Sequence, residues 1–126
     1  MDIKYYPSEE TGRVYAIGTG KCGYAEGIDP AIADTLVACG FVAKKDLCVP
    51  MLTRGVAKVQ QPDVFDLDTG KHIARDKVLR KHYAQVGKAL GAYHEALDKL
   101  VGGVSAREAY CRDKVANAEK RLDAIG

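Results

Sequence analysis

The sequence predicts an α+β fold, with a small N-terminal antiparallel sheet and one short helix followed by a C-terminal antiparallel helical hairpin. Three observations predict it. The first half alternates short β-prone runs with turn residues. The second half carries apolar residues at alternating steps of four and three, the repeat of a helix that faces a partner helix. Gly102-Gly103 interrupts that repeat with a break of turn length, too short for a linker. The chain reads as a single domain over 1–126, divided into a β-rich half (1–62) and the hairpin (63–126).

The elements follow in order. Ile3-Lys4-Tyr5-Tyr6 is β-prone and ends at Pro7, and Arg13-Val14-Tyr15-Ala16-Ile17 is its expected hairpin partner across the Thr11-Gly12 turn. A glycine-rich stretch from Gly18 to Gly27 then interrupts regular structure. Asp29-Pro30 supplies an N-cap and an N1 proline for a short helix from Ala31 to Cys39, which Gly40 stops. Phe41-Val42-Ala43 and Leu47-Cys48-Val49 read as one bent strand or two, with Lys44-Lys45-Asp46 as a turn. Val56-Ala57-Lys58-Val59 is the last expected strand.

The hairpin helices are expected over 66–101 and 105–125. Asp66 is a good N-cap for the first, and Asp63, Asp66 and Asp68 place negative charge at its positive end. Ser105-Ala-Arg-Glu108 reads as a capping box for the second, with Val104 stapling onto Ala109. The seam predicts Leu79, Val86, Leu90, Leu97 and Leu100 packed against Val115, Ala118 and Leu122, with Cys111 inside it. Beside the seam runs a stripe of Arg80, Ala84, Gly87, Gly91 and His94. Interior helical glycines cost about 1 kcal/mol each against alanine, so two of them need a reason. Close packing of the second helix, a subunit interface and a ligand groove are the three candidates.

Composition narrows the function. Hydrophobic residues make up 47% and charged residues 29%, which argues against disorder. No apolar run approaches the ~18 residues of a membrane span, and the start lacks a signal-peptide pattern, so a cytoplasmic protein is expected. Cys22, Cys39, Cys48 and Cys111 have no metal-ligand spacing with one another or with the histidines, so no metal and no cofactor are expected. Gly18-Thr-Gly20-Lys-Cys-Gly23 matches a dinucleotide-binding fingerprint in letters, but Gly27 and Pro30 prevent the helix that must follow it. A nucleophile with a positioned base is also missing, so a non-enzymatic protein is expected.

The net charge of +2 is unevenly spread. Within 71–88, Lys71, Arg75, Lys77, Arg80, Lys81 and Lys88 stand against Asp76 alone, which reads as a footprint for an anionic ligand or as a solvated face matched to the helix dipole. The candidate ligand-binding set is Arg54, Lys58, Arg75, Arg80, Lys81, Tyr83, His94, Arg107 and Arg112. Arginine can hold a phosphate with two donors, and a tyrosine can stack on a base.

Gly55-Val-Ala-Lys58, followed by Asp63-Val-Phe65-Asp66-Leu-Asp-Thr-Gly70-Lys-His-Ile-Ala74-Arg75, resembles a segment of small phage and prophage proteins. The order of elements is also similar to that of the anti-Thoeris sponge proteins, which sequester cyclic nucleotide signals. That resemblance implies a phage-type accessory, anti-defence protein that forms a homo-oligomer and captures a cyclic nucleotide or another nucleotide-like anion. It carries over no site residue. The alternatives are a nucleic-acid-binding or nuclease-inhibiting module, and a structural adaptor that uses the hairpin to join a partner's helices.

Overall fold

The computed structural model describes residues 1–21, 23–58 and 66–126. Strands β1 (Asp2–Ser8), β2 (Arg13–Thr19) and β5 (Leu52–Lys58) form an antiparallel sheet in the order β1-β2-β5. A second, two-stranded ladder joins β3 (Gly23–Tyr24) to β4 (Cys48–Val49). Helix α1 (Pro30–Ala38) and a short 3₁₀ turn (Lys44–Leu47) lie between them, and α2 runs from Leu67 to Ile125.

The α+β class and the N-terminal antiparallel sheet stand as expected. The β1–β2 hairpin turns through Gly12, whose φ of 65° suits glycine. Pro7 lies within β1 rather than ending it, because an edge strand can do without one ladder donor. In α1 the Asp29 carboxylate accepts from the N–H groups of Ala31 and Ile32. At the other end the Gly40 N–H donates to Val37 and the Phe41 N–H to Leu36, a Schellman closure. Phe41 is spent on that cap, so Phe41-Val42-Ala43 forms no strand. Of the last expected strand, Val59 lies outside the described residues, as do Cys22 and Asp63.

The helical hairpin does not form. Residues 67–125 are one α-helix, about 88 Å long at 1.5 Å per residue. Neither Gly102 nor Gly103 has a positive φ, so neither supplies the left-handed residue a helix end commonly uses. Two glycines cost a helix only about 2 kcal/mol together, and beyond the flanking valines Lys99, Leu100, Ala106 and Arg107 are strong helix formers. The apolar series also keeps its phase across the pair, as it must if the helix never stops. Ser105 and Glu108 are therefore interior residues and not a capping box. The seam of Leu79, Val86, Leu90, Leu97 and Leu100 has no Val115, Ala118 or Leu122 against it, and Cys111 is exposed.

What α2 does pack against is the sheet and, farther along, α1 and the 3₁₀ turn. Gly70, Ala74, Val78, Val86, Ala89 and Ala96 form its buried face. The first three meet Val14, Ala16 and Ala57 in one core cluster. Val86 and Ala89 join Ala25, Ile28, Ala33 and Leu47 in a second. Small residues dominate because the helix lies close on the sheet. Beyond Leu97 the helix is an arm about 42 Å long, on which Ala118 alone among the described residues is even half-buried. Among the described residues, no helix is long and apolar enough to cross a membrane.

Candidate nucleic-acid interface

Strand alternation sends successive side chains to opposite faces of the sheet. Val14, Ala16 and Ala57 turn toward α2 and are buried. The opposite face therefore carries Lys4, Tyr6, Arg13, Tyr15, Ile17, Arg54, Val56 and Lys58, none of them buried. The register arranges these side chains in rows across the three strands. Lys4, Ile17 and Arg54 make one row, then Tyr6, Tyr15 and Val56, then Ser8, Arg13 and Lys58. Rows on one face lie about 6.6 Å apart. A tyrosine row thus sits between two rows that carry four cations. Asp2 adds a carboxylate at one end of the face, and Glu9 and Glu10 lie in the turn at the other.

The β5 edge adds two more cations. Lys77 donates to the Val56 carbonyl at 2.7 Å and Lys81 to the Arg54 carbonyl at 2.9 Å. Both ammonium groups cap outward-pointing carbonyls of an edge strand, which blunts that edge against further pairing. They also hold positive charge beside the open face.

The nine sequence-predicted residues fall in three places. Arg54 and Lys58 lie on the open sheet face, and Lys81 reaches its rim. Arg75, Arg80 and Tyr83 are exposed on the sheet-bound part of α2. His94, Arg107 and Arg112 follow along the same helix, and are engaged there with Asp98, the Tyr110 ring and Glu108 respectively. On one continuous helix, Arg80 and Arg107 are about 40 Å apart. The structure therefore brings together Arg54, Lys58 and Lys81, and separates them from the arm. Lys4, Tyr6, Arg13 and Tyr15 were missed in the sequence. Their alternation, Lys4-x-Tyr6 and Arg13-x-Tyr15, marks one sheet face, but only the position of α2 shows which face stays open.

A cleft of about 570 Å³ lies at the other end of the sheet, lined by Thr19, Lys21, Tyr24, Glu26 and His82 among others. The glycine-rich stretch forms one wall. Gly18 is glycine because Met1 and Val78 crowd its Cβ position, and Gly23 has a φ of 133°. These are packing and backbone demands, with β3 and not a helix following. His82 Nε2 stands 3.9 Å from Glu26, and its buried Nδ1 has no partner among the described residues. The Tyr24 hydroxyl donates to Asp34, and that bond is the main reason its pKa is pushed up to about 12. Among the described residues, no group of three or more His, Cys, Asp or Glu could hold a metal ion.

No protein-family model matches the chain, and no curated protein or solved structure matches it significantly.

Proposed function

We propose that the protein is a non-enzymatic binder of nucleotide-like polyanions, and that it takes single-stranded nucleic acid on the open sheet face. The observation that supports this reading is the Tyr6–Tyr15 row set between two cationic rows on a face that no described element covers. A flat sheet cannot enclose a small molecule, but it can stack splayed bases on aromatic rings while flanking cations meet the backbone. Every base has a π-face, so the expected binding is tolerant of sequence. A homo-oligomer would present several such faces to one strand and raise avidity. Within this proposal, the phage-type accessory role would place the ligand among host nucleic acids.

Anisotropy titration with labelled oligo(dT) and oligo(U) over a series of salt concentrations tests the reading. Binding that weakens steeply with salt is expected. Absence of binding at low salt would overturn it. Capture of a small cyclic nucleotide requires Arg75 and Arg80 of one copy to meet Arg107 and Arg112 of another. Calorimetric heat with cyclic nucleotides and none with oligonucleotides would favour that alternative.

A further inference from the structure

The arm of α2 carries a seam that nothing among the described residues covers. Val115, Leu122 and Ile125 are 57%, 67% and 85% exposed, and Val101 and Val104 are similarly open. A helix with an apolar stripe buries that stripe against another element. The sheet-bound half of the same helix shows the converse feature. Gly87 and Gly91 are exposed, and a Cβ at either would meet no described atom within 4 Å.

The two features lie in one heptad frame. Leu90, Leu97, Val104, Cys111, Ala118 and Ile125 recur every seven residues. A second line, Gly87, His94, Val101, Glu108, Val115 and Leu122, recurs with the same period. Along that second line Gly87 and His94 lie near the sheet and the aliphatic Val101, Val115 and Leu122 lie on the arm, with Glu108 among them. We infer that the arm is covered by the arm of a second copy of this chain, antiparallel, with the tip of each over the glycine notch of the other. This inference stands independently of the ligand reading.

Antiparallel packing pairs the first line with the second. The register that overlaps 87–125 sets Leu97 opposite the partner's Val115 and Gly87 opposite the partner's Ile125, while Leu90, half-buried against the chain's own second core cluster, offers only its open side to the partner's Leu122. Ile125, the most exposed of the arm's apolar side chains, then meets the smallest position, Gly87. On the flank, Asp98 faces the partner's Arg112, and two-fold symmetry makes that pair twice. A parallel pair in register would stack Glu108 on the partner's Glu108 in one layer, whereas the antiparallel pair sets each opposite Val104. An overlap of 39 residues is about 58 Å long. Covering a third of a helix about 10 Å wide buries roughly 600 Å² per copy, or about 1,200 Å² in all. That reaches what a specific interface requires.

Disulfide trapping in the full chain tests the register. Cys22, Cys39 and Cys48 are replaced by serine, Cys111 is kept, and Val101→Cys is added. The antiparallel register places position 101 beside the partner's Cys111. Within one helix the two positions are about 15 Å apart and cannot bond. Sedimentation equilibrium should show a dimer at tens of micromolar, and mild oxidation should give a covalent dimer mapped to a 101–111 link. Gly87→Leu and Leu122→Lys lie at exposed positions that leave the monomer folded, and each should weaken the dimer at least tenfold. A monomer throughout, a 111–111 link without Val101→Cys, or a dimer indifferent to both substitutions would overturn the inference. A monomer that retains oligonucleotide binding would leave the ligand reading intact and assign the seam to a different helical partner.

Discussion

Gly55 of β5 lies directly against the main-chain carbonyl of Ala74 in α2, with no room between them for a Cβ. Lys77 Cβ and a Val78 methyl close the same space at 3.0 Å. This contact sets how near the helix approaches the sheet, and so why its buried face is built from Gly70, Ala74 and Val78. Gly55→Ala should destabilise the fold by about 3 kcal/mol, the upper end of overpacking costs, because the neighbouring atom is backbone and cannot swing aside. Urea unfolding checks this. A loss under about 0.5 kcal/mol would mean that the helix sits farther from β5.

Gly102→Ala and Gly103→Ala should act in the opposite direction. Both glycines are interior to α2, and a Cβ at either meets nothing among the described residues. Each substitution should raise helicity by circular dichroism and stabilise the arm by roughly 0.5–1 kcal/mol. A fall in helicity would show that the pair forms a turn.

Lys77→Met keeps the apolar stem of the side chain but removes the donor to the Val56 carbonyl. The expected loss is about 1 kcal/mol, with faster aggregation as the β5 edge opens to pairing. Matched unfolding curves and unchanged light scattering would deny the capping role.

Where a local signal sufficed, the fold was legible in the sequence. Asp29, Pro30 and Gly40 bound α1, and the Asp66 cap starts α2, because caps act within a few residues. The hairpin misled because a heptad repeat shows that a stripe needs a partner without saying where the partner lies. Gly102-Gly103 looked like the turn, yet nothing beside it made a turn favourable. Arg54 and Lys58 were legible as candidates for the site by charge. Tyr6 and Tyr15 were not, since an aromatic residue on a strand serves a core as readily as an open face.

Asp66 gives the fold an acid dependence. The Thr69 hydroxyl donates to its carboxylate, as do the N–H groups of Thr69 and Asp68, and these bonds hold its pKa below the ordinary aspartate value. In the unfolded chain the group binds its proton at higher pH, so the unfolded state takes up the proton first as pH falls. The stabilisation is therefore full above about pH 5 and is lost as pH drops through the unfolded-state and then the folded-state value. The stability gap between the parent protein and Asp66→Ala should narrow from about pH 5 to about pH 3. A gap that stays constant over that range would place the cap's contribution elsewhere.

The open sheet face makes separable predictions for its aromatic and cationic members. Tyr6 is 52% exposed, so Tyr6→Ala should leave the circular dichroism spectrum unchanged. If a base stacks on that ring, affinity for oligo(dT) falls by about 1–3 kcal/mol, roughly five- to 150-fold. The salt slope stays as it was, since no phosphate contact is lost. Arg54→Ala and Lys58→Ala should lower affinity and change the slope as well. Each removes one cation from the face, which lowers the slope of log affinity against log salt by about 0.7 for a single strand. An Arg107→Ala variant, changed on the arm far from the sheet, should match the parent protein in both respects. Equal losses for Arg107→Ala and Arg54→Ala would show that the strand follows the helix and not the sheet.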